Sequence, residues 1–216
     1  AEVDYYTQAI SDRRVKIEEE EVAREVRDAR VAFGEVEVTY ITYMFKKIKF
    51  ESRDSIGFGK IDLPPTALDT CAVWLTPPLS TLHRVRQFGR NPMDGLLGLA
   101  NVANEVIPLF AMCDPMDIGT VVEASNIGVP TVFVFDRFPG GVGYAQKTYE
   151  MMEEILEACL ELISQCQCED GCPSCVGAPL PPYAQNDPDS ETKGRIPDKE
   201  AALIILHDLL GKEPYI

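Results

Sequence analysis

The sequence predicts an α/β fold of the α+β kind: a mixed β-sheet with flanking helices, a β-rich N-terminal part and a C-terminal four-cysteine knuckle. Three observations carry that expectation. Residues 3–50 alternate apolar and charged side chains with the period of half-buried strands. The middle of the chain sets an apolar strand, Val132 to Phe135, directly before a glycine-rich turn and an amphipathic helix. Four of the seven cysteines then crowd into the ten residues from Cys166 to Cys175.

The N-terminal 62 residues form the β-rich part. Val3–Ile10 is rich in strand-forming Tyr and Thr, and Val15/Ile17 and Val36/Val38/Tyr40 alternate with charged neighbours. Gly34 marks a turn or bulge between Val31–Phe33 and Glu35–Phe45, and Glu18–Arg27 fits either an edge strand or an exposed helical turn. Residues 63–165 form an α/β core. Leu63-Pro64-Pro65 interrupts regular structure, Thr70–Leu75 is a short buried strand holding the only tryptophan, Trp74, and a loop leads on to Met93. From Met93 to Cys113 apolar residues recur every three or four positions, as in a mostly buried helix that Pro108 kinks. Pro130–Asp136 reads as a central strand buried on both faces. A helix from Val142 to Gln165 presents Met152, Ile155, Cys159 and Ile163 on one side and glutamates on the other, delivering the chain to the cysteine loop, 166–175. Residues 176–216 complete a single domain with a Pro-rich loop, 177–197, and a helix over Asp198–Leu210 that ends at Gly211.

Composition bounds the function. A chain of 216 residues, 45% hydrophobic, can bury a proper core, and no apolar run reaches the length of a membrane span. A net charge of −15 argues against a general polyanion-binding surface, so any nucleic-acid contact is local. Two basic patches could supply it: Lys46, Lys47, Lys49 and Arg53, then Arg84, Arg86 and Arg90, although solvated faces are the plainer reading. Seven cysteines without a secretory signal point to a reducing, cytoplasmic setting. The chain starts at Ala1 within strand-like sequence, which suggests a fragment of a longer protein.

Cys166, Cys168, Cys172 and Cys175 follow the pattern C-x-C-x3-C-x2-C. That is spacing for a structural Zn²⁺ held by four thiolates, a C-x2-C turn supplying two sulfurs from one tight loop. Paired disulfides are the weaker reading, because Cys166 and Cys168 are too close in sequence and the cysteine count is odd. A closed four-sulfur site leaves no coordination position for catalysis. Cys71, Cys113 and Cys159 sit among apolar neighbours as small core residues, and two histidines, His83 and His207, make acid–base chemistry improbable.

Pro139-Gly140-Gly141-Val142-Gly143, between strand and helix, could receive a phosphate on free backbone N–H groups, with Gly140, Gly141 and Gly143 as contacts. The alternative is a tight turn that needs glycine for positive φ. The Lys-Ser/Thr of a P-loop is absent, which argues against nucleotide hydrolysis here.

Taken together, Cys113-Asp114-x-x-Asp117-Ile118-Gly119, Pro130–Asp136 with Pro139–Gly143, and the cysteine loop resemble the MrfA-type zinc-binding domain, the C-terminal domain of a group of superfamily 2 DEAD/DEAH-box helicases. Leu63–Thr66 and Ala72–Leu75 look like the same family's upstream strand. The chain departs from that pattern in lacking histidine around Leu97, Ala100 and Asn101 and a further cysteine in 177–197. The resemblance implies a zinc-binding accessory domain that packs on RecA-like helicase domains of the same or a partner chain and helps to hold or separate DNA. ATP binding and hydrolysis would belong to those domains. The reading from a different class is a protein-interaction scaffold in a multi-subunit DNA-processing or antiphage defence complex, its acidic surface meeting a basic partner.

Overall fold

The computed structural model describes residues 4–178 and 196–215. Most of the 177–197 loop therefore lies outside the described residues. The chain opens with two long strands, β1 (Tyr5–Val26) and β2 (Ala29–Lys49), joined by a two-residue turn in which Arg27 takes positive φ (53°). Glu18–Arg27 resolves accordingly as strand followed by turn. Gly34 is inside β2 and not at a turn: β1 bulges opposite it, and a Cβ there would lie 2.0 Å from the Glu19 carbonyl oxygen.

Strand β2 is the hub. One edge pairs with β1; the other pairs first with β4 (Thr66–Thr76) and then, toward its C-terminal end, with β3 (Ser55–Lys60). β4 carries β6 (Thr131–Asp136), which carries β5 (Ile118–Glu123), giving the order β1-β2-β4-β6-β5. Every recorded pairing is antiparallel, where the sequence suggested a mixed sheet. Burial on both faces, and not parallel pairing, produced the apolar run in β6.

Those two faces enclose two cores. Ala72, Trp74, Phe133 and Phe135 point to one side, with Val15, Val36 and Val38; Val73, Leu75, Val132 and Val134 point to the other, against the helices. The first core is closed because the sheet curls until β1 meets β5. Asn126 accepts from the Ile17 N–H at 3.0 Å and donates to the Val15 carbonyl at 2.7 Å, while Glu123 accepts from the Val15 N–H at 3.3 Å. One amide side chain thus continues the ladder at an edge that would otherwise be open.

The second core is built on α2 (Pro92–Ala111), which starts at an Asn91 cap and contains Pro108 in its last turn. Around it lie α1 (Leu79–Gln87), α3 (Tyr144–Glu150), α4 (Met152–Gln165) and α5 (Lys199–Leu209). Sequence reasoning missed β3, β5 and α1, and α1 occupies what read as a loop before Met93. It also merged α3 and α4, which the non-helical Met151 (φ −107°, ψ 24°) separates. Among the described residues, no helix is long and apolar enough to cross a membrane.

Candidate metal centre

Helix α4 stops at Cys166, whose extended backbone (φ −74°, ψ 130°) turns the chain into the cysteine loop. The loop closes on itself: the N–H groups of Cys175 and Val176 both donate to the Cys172 carbonyl at 3.1 Å. Cys175 and Val176 are buried in the helical core, with 1% and 0% exposure, so the loop is sewn into the hydrophobic interior.

This backbone path brings four sulfurs together. Neighbouring Sγ atoms stand 3.5 Å (Cys166–Cys168), 3.6 Å (Cys166–Cys172), 3.4 Å (Cys168–Cys175) and 3.7 Å (Cys172–Cys175) apart. All four lie within 4.8 Å of one another. A regular tetrahedron with metal–sulfur bonds of ~2.3 Å has edges of roughly 3.8 Å, so the set fits a Zn²⁺ with little adjustment. Disulfide bonding would need two sulfurs at about 2.05 Å, and all seven cysteines are unbridged.

Electrostatics inside the loop split two of the sulfurs. The Ser174 N–H, followed by the neighbouring sulfurs, pulls the Cys172 thiol down to about 7, while burial pushes Cys175 up to about 12. The Cys172 N–H also points at the Cys175 sulfur, at 3.4 Å. Zinc, when bound, supplies the positive charge that holds all four as thiolates, and its role is structural.

The loop has a partner that sequence reasoning missed. Lys199, only 7% exposed, donates through Nζ to the Cys166 carbonyl at 2.6 Å and the Cys168 carbonyl at 2.7 Å, and its N–H donates to the Asp170 carbonyl at 3.3 Å. A lysine in the first turn of α5 opposes the helix dipole; two carbonyl acceptors and the net negative charge of a Zn–thiolate cluster offset that cost. The adjoining Asp198 caps α5 by accepting from the Ala201 N–H at 3.0 Å. On the other side, Asn101 of α2 donates to the Val176 carbonyl at 3.0 Å. The cysteine loop is therefore the junction of α2, α4 and α5. The signal available in the sequence was an isolated Lys directly after an Asp cap, which carries no metal meaning by itself.

The glycine-rich turn does not offer a phosphate site. Asp136, completely buried at the end of β6, accepts from the N–H groups of Val142 (2.6 Å), Gly143 (2.9 Å), Tyr144 (3.3 Å) and Ala145 (2.7 Å). The anion at this helix start is the chain's own carboxylate. Gly140, Gly141 and Gly143 have φ of 73°, 73° and 101°, which makes them turn glycines, and a Cβ on Gly141 would meet Cys71 Sγ at 2.9 Å.

The two basic patches fare differently. Arg84 pairs with Asp208 at 2.7 Å, and Arg90 pairs with Asp198 at 3.3 Å and with Glu200, so both tie α1 and its exit to α5; Arg86 is exposed. Lys46, Lys47 and Lys49 stand where β2 runs between the start of β1 and β3. Exposed aromatic rings lie on the Lys46 face: Phe58 opposite Lys46 in β3, and Tyr6 opposite Ile48 in β1, with its ring 5.4 Å from that of Phe50. Lys47 Nζ lies 5.2 Å from the Tyr5 ring centroid.

Residues 99–176 match the family model of the MrfA Zn-binding domain. Over 182 residues the chain is 36% identical to the uncharacterized ATP-dependent helicase YprA of Bacillus subtilis, covering 83% of this chain and 24% of the relative. It is 25% identical over 224 residues to the ATP-dependent helicase HRQ1 of Saccharomyces cerevisiae, covering 97% of this chain and 20% of the relative. Among solved structures, the DUF1998 helicase MrfA bound to DNA superposes with a TM-score of 0.61 at 32% identity, over 97% of this chain and 26% of that one. The chain thus spans about a quarter of the length of these proteins.

Proposed function

Because this chain belongs to the MrfA Zn-binding domain family, we propose that it works as the C-terminal zinc-binding accessory domain of an ATP-dependent DNA helicase. It packs on RecA-like domains, which carry out ATP hydrolysis, and assists DNA binding or strand separation. The observation that supports this reading is the four-sulfur tetrahedron, which falls inside the matched segment and is closed to catalysis. The metal keeps three helices in one arrangement and so presents a rigid surface to the helicase core and to DNA.

DNA contact is assigned to the tip formed by the ends of β1, β2 and β3. There Lys46 shares a face with exposed Phe58 and Tyr6, and Lys47 and Lys49 share the other with Tyr5, so each face mixes charge with rings, as single strands bind. With a net charge of −15, binding by this domain alone is weak and steeply dependent on salt.

The test uses the longer protein that contains this chain. Cys172→Ser should impair ATP-driven strand separation, with ATP hydrolysis retained, and Lys47→Ala with Lys49→Ala should raise the DNA concentration required. Unwinding by both variants at the wild-type rate would overturn the assignment.

A further inference from the structure

Beside the cysteine loop, between β1, α2, β5 and the residue that follows β6, lies a cleft of about 510 Å³. Two arginines line it, Arg13 from β1 and Arg137 from the end of β6, together with Asn104, Thr120 and Ser174; Glu105 stands exposed on its rim. Among the described residues neither arginine has an ion-pair partner, in a chain with 35 acidic and 20 basic residues.

What holds these guanidiniums is meagre. Arg13 reaches only the Thr120 carbonyl, at 3.5 Å, and lies 6.0 Å from the Tyr40 ring centroid. Arg137 has a fully buried Nε with no hydrogen-bond partner. A buried donor left unpaired is destabilising, and two guanidiniums facing one cavity repel each other. Burial and then the charge of Arg137 hold Arg13 below the ordinary arginine range. Arg84 and Arg90 are neutralised by carboxylates across the fold, whereas the two cleft arginines face each other without one.

We propose that this cleft is an oxyanion site that takes a phosphate of a nucleic-acid backbone between Arg13 and Arg137. A tetrahedral oxyanion offers acceptors to both planar guanidinium forks, with the Asn104 amide and Ser174 hydroxyl as further donors. The site is distinct from the lysine-bearing tip, and its nucleic-acid source rests on the DNA reading above. Ser174, between two metal ligands, places the phosphate next to the zinc loop, so the loop's fold and the anion's fit are linked.

The experiment measures binding of a fluorescent single-stranded oligonucleotide to the 216-residue chain by anisotropy across a salt series, and the thermal shift that inorganic phosphate produces. Arg137→Gln and Arg13→Gln should each weaken oligonucleotide binding about tenfold and lower the salt-dependence slope by about 1. Arg137→Lys should restore part of the affinity, which a purely structural role would not give. If the wild type binds the oligonucleotide and both Gln variants bind it equally well, the cleft assignment is overturned while the DNA reading stands. If the wild type binds no oligonucleotide, the DNA reading fails. A phosphate-induced thermal shift lost in Arg137→Gln then still supports the oxyanion site, with free phosphate as its ligand, and no such shift overturns it.

Discussion

Lys199→Met removes the ammonium that joins α5 to the cysteine loop but keeps an unbranched stem in the same buried space. Two hydrogen bonds go, those to the carbonyls of Cys166 and Cys168 at 2.6 and 2.7 Å. Hydrogen bonds from a charged donor contribute about 1.5–3 kcal/mol each, and the cost of burying an ammonium, which methionine does not incur, offsets part of that, leaving a net loss of about 2 kcal/mol. For a chain of this size that corresponds to a fall of about 4–8 °C in the midpoint of thermal unfolding of the zinc-loaded protein. The same carbonyls orient two of the four ligand residues, so zinc affinity should drop about 10–100-fold. Calorimetry of the loaded protein reads the first effect, and competition against a chromogenic chelator the second. An unchanged midpoint together with unchanged zinc affinity would refute the view that Lys199 clasps the loop to α5.

Asp136→Ala leaves four N–H groups at the start of α3 without their acceptor and should cost about 3 kcal/mol in urea unfolding; a loss below about 0.5 kcal/mol would show that water replaces the carboxylate. Cys172→Ser should lower zinc content well below one per chain and destabilise the domain, read by metal analysis and the thermal midpoint; full zinc content would contradict the ligand set. Burial pushes the Cys159 thiol from its ordinary 9.0 up to about 12, so its protonated form is favoured in the native state. Its stabilising contribution is complete below about pH 9 and is lost as pH rises toward 12, by up to about 1.4 kcal/mol per unit. Cys159→Ala should flatten that alkaline limb of the unfolding curve, and an unaltered limb would place the titration elsewhere.

The site was more legible than the sheet that carries it. Metal ligation depends on sulfur spacing within one loop, so Cys166 to Cys175 declared themselves from local sequence, as did the α5 boundaries, marked by Asp198 and Gly211. Strand β3 did not, because Ser55–Lys60 includes two glycines and its residues are largely exposed, leaving no alternation to read. Helix α1 is short, begins after Pro78 without a side-chain cap, and carries the arginines that read as a loop's basic patch. The phosphate reading of Pro139–Gly143 failed for a long-range reason: the anion was already present as Asp136, six residues or more from the N–H groups it accepts. Lys199 stayed invisible for a similar cause, since 31 and 33 residues separate it from its acceptors. Features fixed by neighbours in sequence were readable; those fixed by partners across the fold were not.

The central claim is that four thiolates hold one zinc ion and thereby fix the junction of α2, α4 and α5. X-ray absorption at the zinc edge on the purified chain tests it most directly. The account predicts one zinc per chain with about four sulfur neighbours at ~2.3 Å and no nitrogen or oxygen shell. A well-folded protein without zinc and with these cysteines paired as disulfides would contradict it.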